Sequence, residues 1–131
     1  MSMHATALVD VTDWEEKPYN EVEGEPKLTR AVVKQTYQGD IAGEGSLEYL
    51  MVYTDISVTY VGLERVIGSI ADRRGSFTLK LTGVYEDGEA KTTCSIVPGS
   101  GTGDLVGLVG TGKISAGEGS TFPFALDYDF E

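Results

Sequence analysis

Apolar side chains recur at every second position through most of this chain, the spacing of strands that bury one face. Residues 4–13 place Ala5, Ala7, Val9 and Val11 on a common side, and residues 28–38 do the same with Ala31, Val33 and Tyr37. Residues 121–130 alternate most clearly: Phe122, Phe124, Leu126, Tyr128 and Phe130 share one face, with Asp127 and Asp129 on the other. The pattern predicts an all-β domain with almost no helix.

Turn chemistry divides the rest. Gly39, Gly43 and Gly45 bound a turn after the second strand. Thr54-Asp55, read as a two-residue loop, pairs Tyr53 with Ile56, Met51 with Val58, Tyr49 with Tyr60 and Leu47 with Gly62. That register sets Glu44 against Arg65 as an exterior ion pair; a three-residue loop would oppose Arg65 to Gly45. Asp87-Gly88 is a type I′ signal that pairs Tyr85 with Ala90, Leu81 with Cys94 and Leu79 with Ile96, and Phe77 extends the same face. A short strand over 110–115 follows, and residues 104–108 have room for one helical turn. The acidic stretch 15–27, with Pro18 and Pro26, reads as a surface loop or lid.

Eight of the seventeen glycines lie between Gly99 and Gly119. In a strand-rich chain such a cluster marks close backbone approach and sharp bending. Eight antiparallel strands in sequence order suit a small closed barrel, which has no exposed sheet edges; an open two-sheet sandwich is the competing architecture. All 131 residues form one domain.

The formal charge of -11 disfavours nucleic acid and anionic membrane surfaces as partners. Cys94 is the single cysteine, so no intrachain disulfide forms. The opening Met1-Ser-Met-His-Ala-Thr lacks the basic and apolar regions of a signal peptide, and no apolar run reaches membrane-spanning length. A soluble cytoplasmic protein is the expectation.

The chemistry-bearing residues are few. Gly107-Leu-Val-Gly-Thr-Gly112-Lys113 approaches the phosphate-cradling P-loop pattern, but Ile114 stands where a hydroxyl must hold magnesium and a strand follows instead of a helix. His4, the only histidine, excludes a zinc site built on histidine pairs, and its place near a terminus excludes a triad base. No metal or cofactor is expected. Asp127, Asp129 and Glu131 read as a solvated strand face. Glu64 is the candidate catalytic residue. It shares the predicted inner face of Tyr49, Met51, Tyr60 and Gly62 and lies opposite Gly45, which leaves room beside it. Burial there would raise its pKa and fit it for proton transfer. Its structural alternative is a place at the barrel mouth or a pairing with Arg65 or Lys34. Tyr37, Tyr49, Met51, Tyr60, Phe77, Leu81 and Cys94 complete the candidate ligand-binding face, and Tyr53 and Tyr85 also point inward; core packing explains the tyrosines equally well.

Several segments resemble the bacterial family known as domain of unknown function 3224: Trp14-Glu-Glu-Lys-Pro-Tyr19, Lys27-Leu-Thr-Arg30, Gly43-Glu-Gly45 and Glu48-Tyr-Leu-Met51. Val61-Gly-Leu-Glu-Arg-Val66, Gly75-Ser-Phe77, Pro98-Gly-Ser-Gly-Thr-Gly-Asp-Leu105 and the ending Leu126-Asp-Tyr-Asp-Phe-Glu131 extend the match over nearly the whole chain. The resemblance implies an eight-stranded barrel of the allene oxide cyclase or lipocalin-like type, often oligomeric. Leu81 stands where a histidine is often found in that family, and the turn at Thr54-Asp55 is shorter than usual there. The family has no established active site, so no catalytic residue carries over, and the shared barrel transfers no chemistry by itself.

Two functions are consistent with these residues. One is a barrel that binds an apolar or amphipathic small molecule, acting as a cofactor-free isomerase or cyclase. The other is a non-catalytic binding or assembly module with a packed interior. Gly45, Gly62, Gly83, Ala31 and Ala90 would leave internal space, whereas Phe77, Phe124, Tyr49 and Tyr60 would fill it. An outer face carrying Leu50, Val52, Val61 and Leu63 predicts a homo-oligomer, a dimer or larger.

Overall fold

The computed structural model describes residues 2–117 and 119–131. Eight antiparallel strands run in sequence order: β1 (Met3–Asn20), β2 (Lys27–Gly39), β3 (Ile41–Tyr53), β4 (Val58–Ile70), β5 (Arg73–Glu86), β6 (Glu89–Ile96), β7 (Leu108–Ala116) and β8 (Thr121–Phe130). The barrel closes where β1 pairs with β8, with Ala5 opposite Leu126 and Val9 opposite Phe122. The period-two pattern thus becomes a continuous inner wall, and no open sandwich forms.

The two ends of the cylinder differ. At the end where β1 begins, Ile41, Ile70, Phe77, Leu105 and Leu108 are buried and pack into a solid floor. The glycine run supplies that floor. β6 stops at Ile96, leaving the first half of β5 without a strand neighbour on that side. The run takes the empty place: Val97 N–H donates to the Thr78 carbonyl and Thr102 N–H to that of Ser76, both at 2.9 Å. Thr102 Oγ1 and Ser100 Oγ accept from the Ser76 and Thr78 amides at 3.0 Å. A Cβ on Gly75 would strike the Thr102 carbonyl, so the glycine there is what admits the run. A single 3-10 turn (Gly103–Leu105) then drives Leu105 into the interior.

Three sequence expectations change. The first is the Thr54-Asp55 hairpin, which is a four-residue loop over 54–57, closed by Thr54 N–H to the Ser57 carbonyl at 2.9 Å. Tyr53 pairs with Val58, Met51 with Tyr60, Tyr49 with Gly62 and Leu47 with Glu64. The slip of two residues keeps every side chain on its expected face, because strands alternate with period two. It dissolves the Glu44–Arg65 pair: Glu44 faces Ile67 and Arg65 faces Ser46. Secondly, Gly43 and Gly45 lie inside β3, and the turn is confined to Asp40.

The third change concerns the acidic segment, of which only residues 21–26 form a loop. Residues 15–20 are strand, paired with β2 beyond the last contact of β1 with β8. This β1–β2 ribbon overhangs the open end, so the segment does stand over the mouth, as paired backbone. An extra residue at Thr12 shifts the register between Val11 and Asp13. Such a bulge exchanges the two faces of a strand. Val11 points inward before it, and Trp14 and Glu16 point inward after it. The Asp87-Gly88 hairpin has the expected register, and Asp87 and Gly88 adopt φ of 53° and 77° as a type I′ turn requires.

Candidate functional site

Above the packed floor the barrel is hollow. A cavity of about 520 Å³ opens at the end overhung by the β1–β2 ribbon, a volume suited to a small organic ligand. Its walls are mainly apolar, with Val33, Leu47, Met51, Val58, Ile114 and Phe122 contributing from five strands. Trp14, Tyr49, Tyr53, Tyr60 and Tyr85 add an aromatic collar.

Ala90 lines the open space as expected, but Gly45, Gly62 and Gly83 act differently. Each of three inner glycines receives a neighbour's large side chain in the space where its own Cβ would stand. Gly62 faces Tyr49, whose Cδ1 lies 2.7 Å from where a Cβ would stand. Gly83 faces Tyr60, whose hydroxyl lies 2.6 Å from the corresponding point. Gly45 accommodates the Glu64 carboxyl. The missing methyl groups therefore create no void themselves; they let neighbours recline and keep the axis open.

At the bottom of the cavity sits a polar cluster. Glu64 is fully buried, and its carboxylate accepts from Gln35 Nε2 at 2.7 Å and from the Tyr37 hydroxyl at 2.8 Å. Burial pushes the Glu64 carboxyl up to about 7, against the lowering effect of those two donors. Burial and the adjacent Glu64 charge raise Tyr37 well above its ordinary range. Gln35 lines the cavity whereas Glu64 does not, so the carboxyl communicates with the cavity through the Gln35 amide. Higher up, Tyr60 and Thr92 share a hydrogen bond of 2.6 Å.

A second carboxylate guards the rim. Glu16 accepts from Thr29 Oγ1 at 2.7 Å, from Trp14 Nε1 at 3.1 Å and from the Tyr53 hydroxyl, joining β1, β2 and β3. Burial acts to raise its pKa, but these donors and the charge of Lys27 together outweigh it and hold the carboxyl below its ordinary value. Burial and the Glu16 carboxylate push Tyr53 up to about 12. The site thus has an ionised carboxylate at its lip and a buried carboxyl with a raised pKa beneath its floor.

Of the sequence-predicted site residues, Tyr49, Met51 and Tyr60 line the cavity. Glu64 and Tyr37 meet beneath it, and Phe77, Leu81 and Cys94 are buried in the packed layers outside its lining. Burial and the Glu64 charge push the Cys94 thiol up to about 12, leaving it an inert apolar filler. Gln35, Thr92, Trp14 and Glu16 were not singled out. The first two were legible from alternation, Gln35 between Val33 and Tyr37 and Thr92 between Ala90 and Cys94. The other two depend on the bulge at Thr12, which alternation cannot reveal. Among the described residues no cluster of histidine, cysteine or carboxylate side chains could hold a metal ion.

The family model described as "Protein of unknown function (DUF3224)" matches residues 5–128. The chain belongs to the DUF3224 family. A crystal structure of a DUF3224 protein with unknown function from Shewanella oneidensis MR-1 is similar to it over 100% of this chain and 99% of that one, with 29% identity and a TM-score of 0.81. No curated protein matches. Among the described residues no helix is long and apolar enough to cross a membrane.

Proposed function

We propose that this DUF3224 protein binds an apolar or amphipathic small molecule inside its barrel. The observation that carries the reading is the contrast between a packed lower half and an open, apolar-walled upper half of about 520 Å³. A barrel of eight strands is wide enough for its own side chains or for one ligand. Here reclining aromatics keep the upper half for the ligand. The finer reading, a cofactor-free isomerase or cyclase, assigns proton transfer to Glu64 and requires the substrate to reach it past Gln35. The geometry favours binding over catalysis, because Glu64 is already paired with two internal donors.

Native mass spectrometry of the protein as isolated tests this. Retention of an apolar molecule, released when Met51→Trp fills the cavity, is the expected result. Apo protein that also leaves an added apolar fluorophore unbound would overturn the reading.

A second reading, assembly, is favoured by the outer surface of β3 and β4. Leu50 and Val61 face each other there at 48% exposure, and Leu63 and Ile67 continue along β4 at 57% and 62%. A dimer or larger species is expected by light scattering at micromolar concentration, with Leu63→Asp yielding monomer. A monomeric mass for the unmodified protein removes this reading and leaves the cavity reading standing.

A further inference from the structure

Two polar atoms face the cavity without partners, and they say what kind of head group it accepts. The Tyr49 hydroxyl makes no hydrogen bond among the described residues, although its ring is held 5.0 Å from that of Tyr60 and 6.3 Å from that of Trp14. Gln35 spends its Nε2 on Glu64 and Tyr37, and its Oε1 accepts nothing among the described residues. No fully enclosed side-chain nitrogen or oxygen among the described residues lacks a partner. Both atoms therefore open on the cavity that both residues line. The phenol can both donate and accept, whereas the amide oxygen only accepts.

Charge narrows the choice further. No lysine, arginine or histidine lines the cavity. Its lip carries Glu16, held ionised by three hydrogen-bond donors and the charge of Lys27, whose ammonium stands 4.8 Å over the Tyr53 ring outside the lining, and Glu64 lies beneath its floor. An anionic head group would enter a low-dielectric space with no counter-charge among its lining residues, past a carboxylate that already takes the Lys27 charge, and buried unpaired charge is strongly unfavourable. A cationic head group could donate to both free oxygens, but it would leave the Tyr49 proton without an acceptor, and Glu16 is already engaged by three internal donors.

Building on the cavity-binding reading, we infer that the ligand of this site is an uncharged apolar molecule bearing a hydroxyl group, which accepts from Tyr49 and donates to Gln35. The apolar walls take the hydrocarbon body. Fatty-acid anions and phosphorylated lipids are excluded as ligands.

Trp14, the only tryptophan, lines the cavity at its rim and reports occupancy by its fluorescence. Decanol, decanoate and decylammonium share one chain length and differ in head group, so titrating each into the full-length protein at pH 8 isolates that group. Decanol is expected to bind at least tenfold more tightly than either ion. Tyr49→Phe keeps the ring and removes the hydroxyl. It should weaken decanol binding about 3- to 10-fold, the worth of one neutral hydrogen bond. Its thermal midpoint should match that of the unmodified protein, because the hydroxyl has no partner in the free state. Equal or tighter binding of either ion overturns the head-group assignment and leaves the cavity reading intact. Unchanged decanol binding in Tyr49→Phe also overturns it. If none of the three probes binds, the assignment and the cavity reading fall together.

Discussion

Glu64→Gln is expected to exceed the unmodified protein in stability by about 3 kcal/mol at pH 8 and by less than about 1 kcal/mol at pH 5. The native carboxyl holds its proton to about 7, whereas its ordinary value is 4.5. Between those values the folded chain binds a proton that the unfolded chain has released, so stability falls as pH rises. The contribution is fully present below 4.5 and is lost by the time pH passes about 7. Glutamine copies the shape of the protonated group and carries no charge to desolvate, so it escapes the loss. The predicted gap corresponds to about 10 °C in thermal midpoint for a domain of this size. Denaturant titrations of both proteins across this range supply the measurement. A difference that stays constant with pH would place the Glu64 carboxyl in a solvated setting and remove the polar floor of the site. The comparison cancels the other carboxylates, which titrate alike in the two proteins.

The same residue shows what a sequence of this kind discloses. Glu64 stands on an apolar face by parity alone, and parity is kept although the β3–β4 register lies two residues from the one a two-residue loop predicts. A register slip by an even number moves partners without moving faces. The Asp87-Gly88 turn carried its own geometry in two residues, so its register was legible outright. The Thr54-Asp55 loop had no such signature, and Thr54 closes it by accepting from the Ile56 and Ser57 amides, a side-chain device hidden from pattern reading. Trp14 and Glu16 were lost for the opposite reason. One extra residue at Thr12 inverts the alternation, and the acidic, proline-bearing composition of the segment masked a strand. Close backbone approach holds for Gly101, Gly103, Gly107, Gly110 and Gly112 of the glycine run, whereas Gly99, Gly117 and Gly119 face open space. The run's role as a stand-in for the missing half of β6 depends on long-range pairing with β5, which local pattern does not encode.

Gly62→Ala is expected to lower stability by about 3 kcal/mol, the upper range for overpacking a single methyl group into a full site. The added carbon would lie 2.5 Å from the Glu48 carbonyl oxygen and 2.7 Å from Tyr49 Cδ1. The carbonyl belongs to the β3–β4 ladder and cannot withdraw without breaking pairing. The Tyr49 ring can move only toward the axis, since Gly62 forms the wall behind it. The variant therefore also narrows the cavity and quenches or shifts the fluorescence of Trp14, which packs against that ring. A double-mutant cycle separates the two clashes. In a Tyr49→Ala background the ring is gone and only the carbonyl clash persists, so Gly62→Ala should cost about half as much there. The coupling of about 1.5 kcal/mol lies within the range for residues in direct contact. Strictly additive costs would mean that Tyr49 does not lie flat on Gly62. The open upper half of the barrel would then need another cause, because an aromatic ring standing upright from this wall would fill the space assigned to the ligand.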